Sequence, residues 1–117
     1  MSDFKRGEVH LVNPDPSIGK DIQKTRPCVI VSNDVANSKS DLVVVCPITD
    51  AAGKTPDVIH VAVKEKEGGL EKDSIVLCDQ VKAVDQIRLV EKKGNLDADT
   101  MKKIDIGLRL LLNLHKS

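Results

Sequence analysis

Apolar residues run along this chain in short blocks, most of them strand-length, separated by turn residues. The first block, GEVHLVN (7–13), opens after a turn glycine and predicts a short strand. NPDPSIGKDIQKT (13–25), with two prolines and a glycine, predicts a loop, and loops this long tend to carry function. PCVIVS then predicts a fully buried strand that Asn33 and Asp34 stop, and DVANSKSD about one helical turn. LVVVCPIT is the second core strand. Pro47 within it cannot donate to a ladder, which predicts an edge position or a bulge at that point.

AAGKTPD reads as another loop, and VIHVAVK alternates, with Ile59, Val61 and Val63 on one face and His60, Ala62 and Lys64 on the other. That pattern predicts a half-buried antiparallel strand. KEGGLEKD turns the chain, SIVLC predicts a core strand that DQVKAVD continues or bends, and IRLVEKK predicts a last short strand. Asp97 is placed to cap a helix through roughly Leu114, with Met101, Ile104, Leu108, Leu111 and Leu112 at helical spacing, a stripe that Leu110 and Leu114 widen. Such a helix has to cover a sheet, a partner, or both. Six or seven short strands and one terminal helix predict a curled antiparallel sheet or small barrel.

The length of 117 residues, without repeat or linker, predicts a single domain over 1–117 with one core. Phe4 is the only aromatic residue, so a bound nucleic acid would be held by phosphate contacts, backbone groups and arginine planes rather than by stacking on rings. The formal net charge of zero argues against a general electrostatic coat of DNA or RNA but leaves room for a local basic patch. Cys28, Cys46 and Cys78 are an odd number, lie far apart in aliphatic runs and lack C-x-x-C or C-x-x-H spacing, so they read as buried thiols in a reducing cytosol rather than as disulfides or zinc ligands. The opening MSDFKRGE has no apolar signal core and no segment approaches a membrane span. A soluble, cytoplasmic protein is expected, with no metal and no cofactor.

No G-x-G-x-x-G, Walker, G-x-S-x-G or metal-spaced histidine motif occurs. The candidates that remain are polar residues at the ends of apolar strands: Arg26, Thr49, Asp79 and Gln80. A guanidinium is permanently charged and presents a planar fork of donors matched to phosphate, so Arg26 at a strand mouth reads either as an anion site or as an ion-paired structural arginine. His10 and His60 lie on strands that could pair, but nothing in the sequence brings them to Arg26; His115 falls in the last helical turn, where a cation favours the dipole.

RPCVIVSND, VVVCPITD and SIVLCDQVKAVDQIRL, in this order after RGEVHLVNPDPSIG, together resemble the MazF/PemK family of toxin endoribonucleases from bacterial toxin–antitoxin pairs. The resemblance runs from about Lys5 to Leu114, and its three blocks are specific in combination. It implies a mainly β chain with α, a small SH3-like β-barrel of the CcdB/PemK kind with a C-terminal helix. It also implies a homodimer and metal-independent, sequence-specific cleavage of single-stranded mRNA that inhibits translation and growth. Arg26 matches the family's catalytic arginine and Thr49, in P-I-T, the threonine that works with it at the scissile phosphate. Gln80, in D-Q-V, matches a residue implicated in substrate contact, and Asp21 falls where members often carry Glu. Lys20, where small or polar residues are more usual, departs from the pattern, as does Ala83; both bear on the RNA sequence recognised.

RNA carries its own nucleophile in the 2′-OH, so the reaction needs charge stabilisation at the phosphorane and a proton path to the leaving 5′-oxygen. Arg26 and Thr49 suit the first need. An arginine with a pKa above about 12 suits proton transfer poorly, and Asp21 is a candidate base toward the 2′-OH. The family logic adds a cognate antitoxin whose acidic, flexible tail competes with RNA for Arg26, Lys20 and Lys24, and DNA binding by the toxin–antitoxin complex. The alternatives are a non-catalytic binding toxin on the same barrel, as in gyrase-inhibiting relatives, and a degenerate member that only binds an antitoxin.

Overall fold

The computed structural model describes residues 3–14 and 24–114. Its elements in chain order are β1 (Glu8–Val12), β2 (Arg26–Ile30), α1 (Asp34–Lys39), β3 (Leu42–Asp50), β4 (His60–Val63), β5 (Ser74–Leu77), β6 (Lys82–Asp85), β7 (Leu89–Asn95) and α2 (Ala98–Leu111). Among the described residues the strand pairings are all antiparallel, in the order β4, β5, β3, β2, β1, β7, with β6 also on β3. The sheet is barrel-like but not closed: among the described residues, β4 and β7 end the path without pairing to each other.

The even and odd positions of these strands feed two small cores. Val9, Val29, Cys46, Ile48, Val61, Val76 and Ile104 pack on the face that α2 covers, and Val12, Cys28, Ile30, Val43, Val45 and Val84 pack on the other. All three cysteines are buried and free, although Cys78 opens a 3-10 turn rather than lying in a strand. Ile104 is the pin that seats α2, being fully buried, and its burial contributes about 1.5–3 kcal/mol. Asp97 caps the helix, accepting from Thr100 N at 2.8 Å, and Asn33 caps α1 in the same way through Ala36 N. α2 ends earlier than its apolar pattern suggests, because Asn113 turns into left-handed backbone at φ 58°; His115 lies outside the described residues.

Pro47 is not on an edge. β3 is the most paired strand of the sheet, with β2 on one side and β6 then β5 on the other. Val44 N and O both face the β2 side, bonding Ser32 Oγ and Val31 N, so by the period of two the nitrogen of Pro47 faces the opposite side. There β6 pairs only as far as Val45 and β5 only from Ile48, and the gap is bridged by the 3-10 turn Cys78–Gln80. The missing donor therefore falls where no ladder bond is required. His10 and His60 likewise lie on strands that do not pair, β1 and β4 being at separate places in the order.

Candidate active site

The site is built by the register of two strands. β2 and β3 pair Ile30 with Val45, Val29 with Cys46 and Cys28 with Pro47, where the ladder ends. Continuing that register by two residues sets Arg26 against Thr49, on the same face as Cys28 and Pro47. Beyond the last pair the strands open into a cavity of about 260 Å³ lined by Arg26, Thr49, Gln80 and Lys82, with Cys28 and Pro47 among its walls. Three of the residues singled out by sequence are thus brought together from β2, β3 and the turn after β5.

Arg26 is exposed at the mouth, and its Nη1 donates to Thr25 O at 3.2 Å. Among the described residues no carboxylate lies within ion-pair range of it, so its charge is available to an anion rather than spent on a structural pair. Thr49 is half-buried and fixed by its pairing with Ile75 of β5. Gln80 is exposed on the 3-10 turn, which Val81 N closes on Cys78 O at 3.2 Å.

Lys82 is a cavity residue that the sequence reading passed over; its signal was position, since it opens the strand immediately after the Gln80 turn. Burial pushes the Cys28 thiol up and the charges of Lys82 and Arg88 oppose it, the net being a rise to about 11. Arg88 also ties down the start of the long 13–25 segment: its Nε donates to Asn13 O at 2.7 Å while Asn13 N donates to Arg88 O at 2.8 Å. Lys24 is exposed and is not among the cavity's lining residues, and Lys20 and Asp21 lie outside the described residues.

Behind the turn stands a histidine between two carboxylates. His60 Nδ1 lies 2.8 and 3.0 Å from the two oxygens of Asp57, and Nε2 lies 3.2 Å from Asp79 Oδ1. The Asp57 bond raises the affinity of the ring for its proton; partial burial opposes this and Asp79 adds to it, with a net shift upward. The Asp57 carboxyl is correspondingly held below its ordinary value, chiefly by His60.

A larger cavity of about 810 Å³ lies elsewhere, beside Phe4, Glu8, His10 and Gln86. Three carboxylates, Asp3, Glu8 and Asp41, line it; Glu8 Oε1 lies 2.9 Å from His10 Nε2, and neither Arg26 nor Thr49 reaches it. The smaller cavity has the better chemistry for a phosphate: two cations, a hydroxyl and an amide converge there with no carboxylate in its lining, whereas Lys39 and Lys92 of the larger cavity stand among three carboxylates. Among the described residues no group of three or more His, Cys, Asp or Glu is arranged to hold a metal ion, and no helix is long and apolar enough to cross a membrane.

Residues 5–112 match the family model of the PemK-like, MazF-like toxin of type II toxin–antitoxin systems. The endoribonuclease EndoA of Bacillus subtilis (strain 168) is 34% identical over 110 residues, covering 94% of this chain and 95% of the relative. Among solved structures, a mycobacterial endoribonuclease in complex with its cognate antitoxin superposes with a TM-score of 0.77 at 24% identity, over 97% of this chain and 99% of that one. MazF in a MazE–MazF crystal structure from Deinococcus radiodurans gives 0.75 at 22% identity, over 96% and 97%. A cavity formed where the R-P strand parts from the P-I-T strand, on a chain matched almost from end to end, has one family reading: this chain belongs to the PemK-like, MazF-like toxins of type II toxin–antitoxin systems.

Proposed function

We propose that the chain, acting over 1–117 as a single toxin domain, is a sequence-specific endoribonuclease that cuts single-stranded mRNA in the cytoplasm and is neutralised by a cognate antitoxin. The observation that carries this is the register that sets Arg26 against Thr49 at the open end of the β2–β3 ladder. The RNA 2′-oxygen attacks phosphorus and forms the new P–O bond, while the bond to the 5′-oxygen breaks. The proton leaves the 2′-OH for a base and the 5′-oxygen gains one from an acid, giving a 2′,3′-cyclic phosphate and a free 5′-OH. Arg26 neutralises charge growing on the non-bridging oxygens, and the Thr49 hydroxyl donates to the same group. Gln80 contacts the neighbouring nucleotide, and Lys20, Asp21 and Lys24 serve the substrate from the preceding segment. No step requires a cofactor, because the substrate supplies the nucleophile.

The antitoxin reaches the same cleft with an acidic flexible tail, whose carboxylates compete with the RNA backbone for Arg26 and Lys24. A second copy of the chain covers the outer side of α2, where Ile106, Leu110 and Leu112 stand exposed.

The test is a long single-stranded RNA incubated with the protein, with and without chelator, beside Arg26→Ala and a DNA strand of the same sequence. Cuts at one short motif with cyclic-phosphate ends, indifferent to chelator and lost in the variant, are the expected result. Cleavage of the DNA strand would overturn the mechanism, because DNA lacks the nucleophile. Intact RNA would turn the reading to a binding toxin without catalysis.

A further inference from the structure

We propose that His60, outside the cleft, is a positioning residue that holds Gln80 against the substrate and releases it as the imidazole loses its proton; this rests on the ribonuclease reading of the Arg26–Thr49 cleft.

The turn that carries Gln80 is weakly held by the sheet. It occupies the gap between β5 and β6 opposite Pro47, which offers no N–H on that side. Its two ends are fastened by Cys78 N donating to Ile59 O at 3.0 Å and by Val81 N closing on Cys78 O. Its middle residue, Asp79, is fastened by His60 Nε2 at 3.2 Å. Asp79 is the chain neighbour of Gln80, so the hold on one carboxylate sets where the next side chain stands.

His60 is itself anchored. Asp57 Oδ1 accepts from Ile59 N at 3.0 Å and from His60 N at 2.9 Å, which fixes the carboxylate that meets Nδ1. Each ring nitrogen therefore faces a carboxylate, and only the imidazolium can donate to both; a neutral ring has one N–H. Nδ1 has the shorter contacts, to two oxygens, so the neutral ring keeps its proton there. Nε2 then turns a lone pair toward Asp79, and the contact changes from attraction to repulsion. Proton loss thus frees the Gln80 turn and leaves the Asp57 end intact.

Among the described residues, the Cys78 thiol lies near the ring on the turn, and Lys103 of α2 lines a groove with Asp57. Cys78 is buried. The sign follows: the hold on Asp79 is complete below the raised pKa of His60 and is lost as pH climbs through it.

The experiment has an arm that needs no RNA. In ¹⁵N-labelled protein titrated through the His60 transition, the Gln80 side-chain amide is expected to shift with the same midpoint as the imidazole. In Asp79→Asn that linked shift should vanish while His60 still titrates against Asp57. A Gln80 amide that ignores the wild-type His60 titration overturns the proposal. In the second arm, the KM for a cleavable oligoribonucleotide should rise several-fold across the same midpoint, roughly the loss of one hydrogen bond. His60→Gln should hold the high-pH KM at every pH, and a His60→Gln profile that follows the wild type would also overturn it. RNA left uncut by the wild type at every pH would instead be a failure of the ribonuclease reading, with the first arm still deciding the coupling.

Discussion

Pro47 stands opposite Cys28 at the last rung of the β2–β3 ladder, and two residues further along each strand Arg26 comes to face Thr49. The proposed site is therefore the place where two core strands part. Rigid pairing stops two residues short of the proposed reacting groups, an opening suited to a substrate phosphate while the strands below fix its neighbours.

That arrangement predicts how the pair divides its work. Thr49→Val keeps the shape and the pairing with Ile75 but removes the hydroxyl, and kcat for RNA cleavage should fall by about 10²–10³-fold, as for loss of one donor to a developing oxyanion. Arg26→Lys keeps the charge and loses the fork, so it should retain more activity than Arg26→Ala and less than wild type. Both positions lie at the rim, and thermal melts should be close to wild type. A Thr49→Val enzyme with full kcat would remove the threonine from the chemistry.

Gly107→Ala tests how closely α2 sits on the sheet. A Cβ at this position would lie 2.6 Å from Val58 O and 3.2 Å from Cys78 Sγ. The helix gains about 1 kcal/mol of propensity from alanine, but the backbone carbonyl has to move, and overpacking of this kind costs about 1–3 kcal/mol. The clash should win or at best be balanced, so calorimetry is expected to show a lowered Tm. A raised Tm would mean that the seat of α2 is looser than the contacts indicate.

Acid stability should depend on Lys92. Burial alone would raise the Glu8 carboxyl, but His10, the backbone N of Lys5 and Lys92 Nζ at 3.2 Å together hold it below its ordinary value. A carboxyl depressed in the folded state contributes stability that is present above its unfolded pKa and lost as pH falls through the folded one. Lys92→Met removes one of the opposing charges and leaves the burial, so the acid-unfolding midpoint followed by circular dichroism should move to higher pH. An unmoved midpoint would mean that the lysine adds nothing to this pair.

The outer face of α2 predicts an assembly. Leu110 is 62% exposed and Leu112 52%, on a helix whose inner face is already seated by Ile104. Leu110→Glu places a charge in the middle of that patch without touching the core. Sedimentation should show dimer for the wild type and monomer for the variant at micromolar concentration, and a wild type that sediments as monomer would contradict the assignment of this face.

Much of this protein is written locally. The alternation of VIHVAVK, the caps Asn33 and Asp97, and the turn residues around Gly68 and Gly69 each act within a few neighbours, so the strands and α2 were legible from order alone. Arg26, Thr49 and Gln80 could be marked as polar ends of apolar strands and matched to a family by their flanking blocks. The place of Pro47 was not legible, because a missing N–H shows only what a strand cannot do; which side it faces depends on where β5 and β6 pair with β3. Lys82 and the His60–Asp79 contact were hidden for the same reason. Period is a property of one strand, but register belongs to two strands distant in sequence, and only the packed sheet sets it.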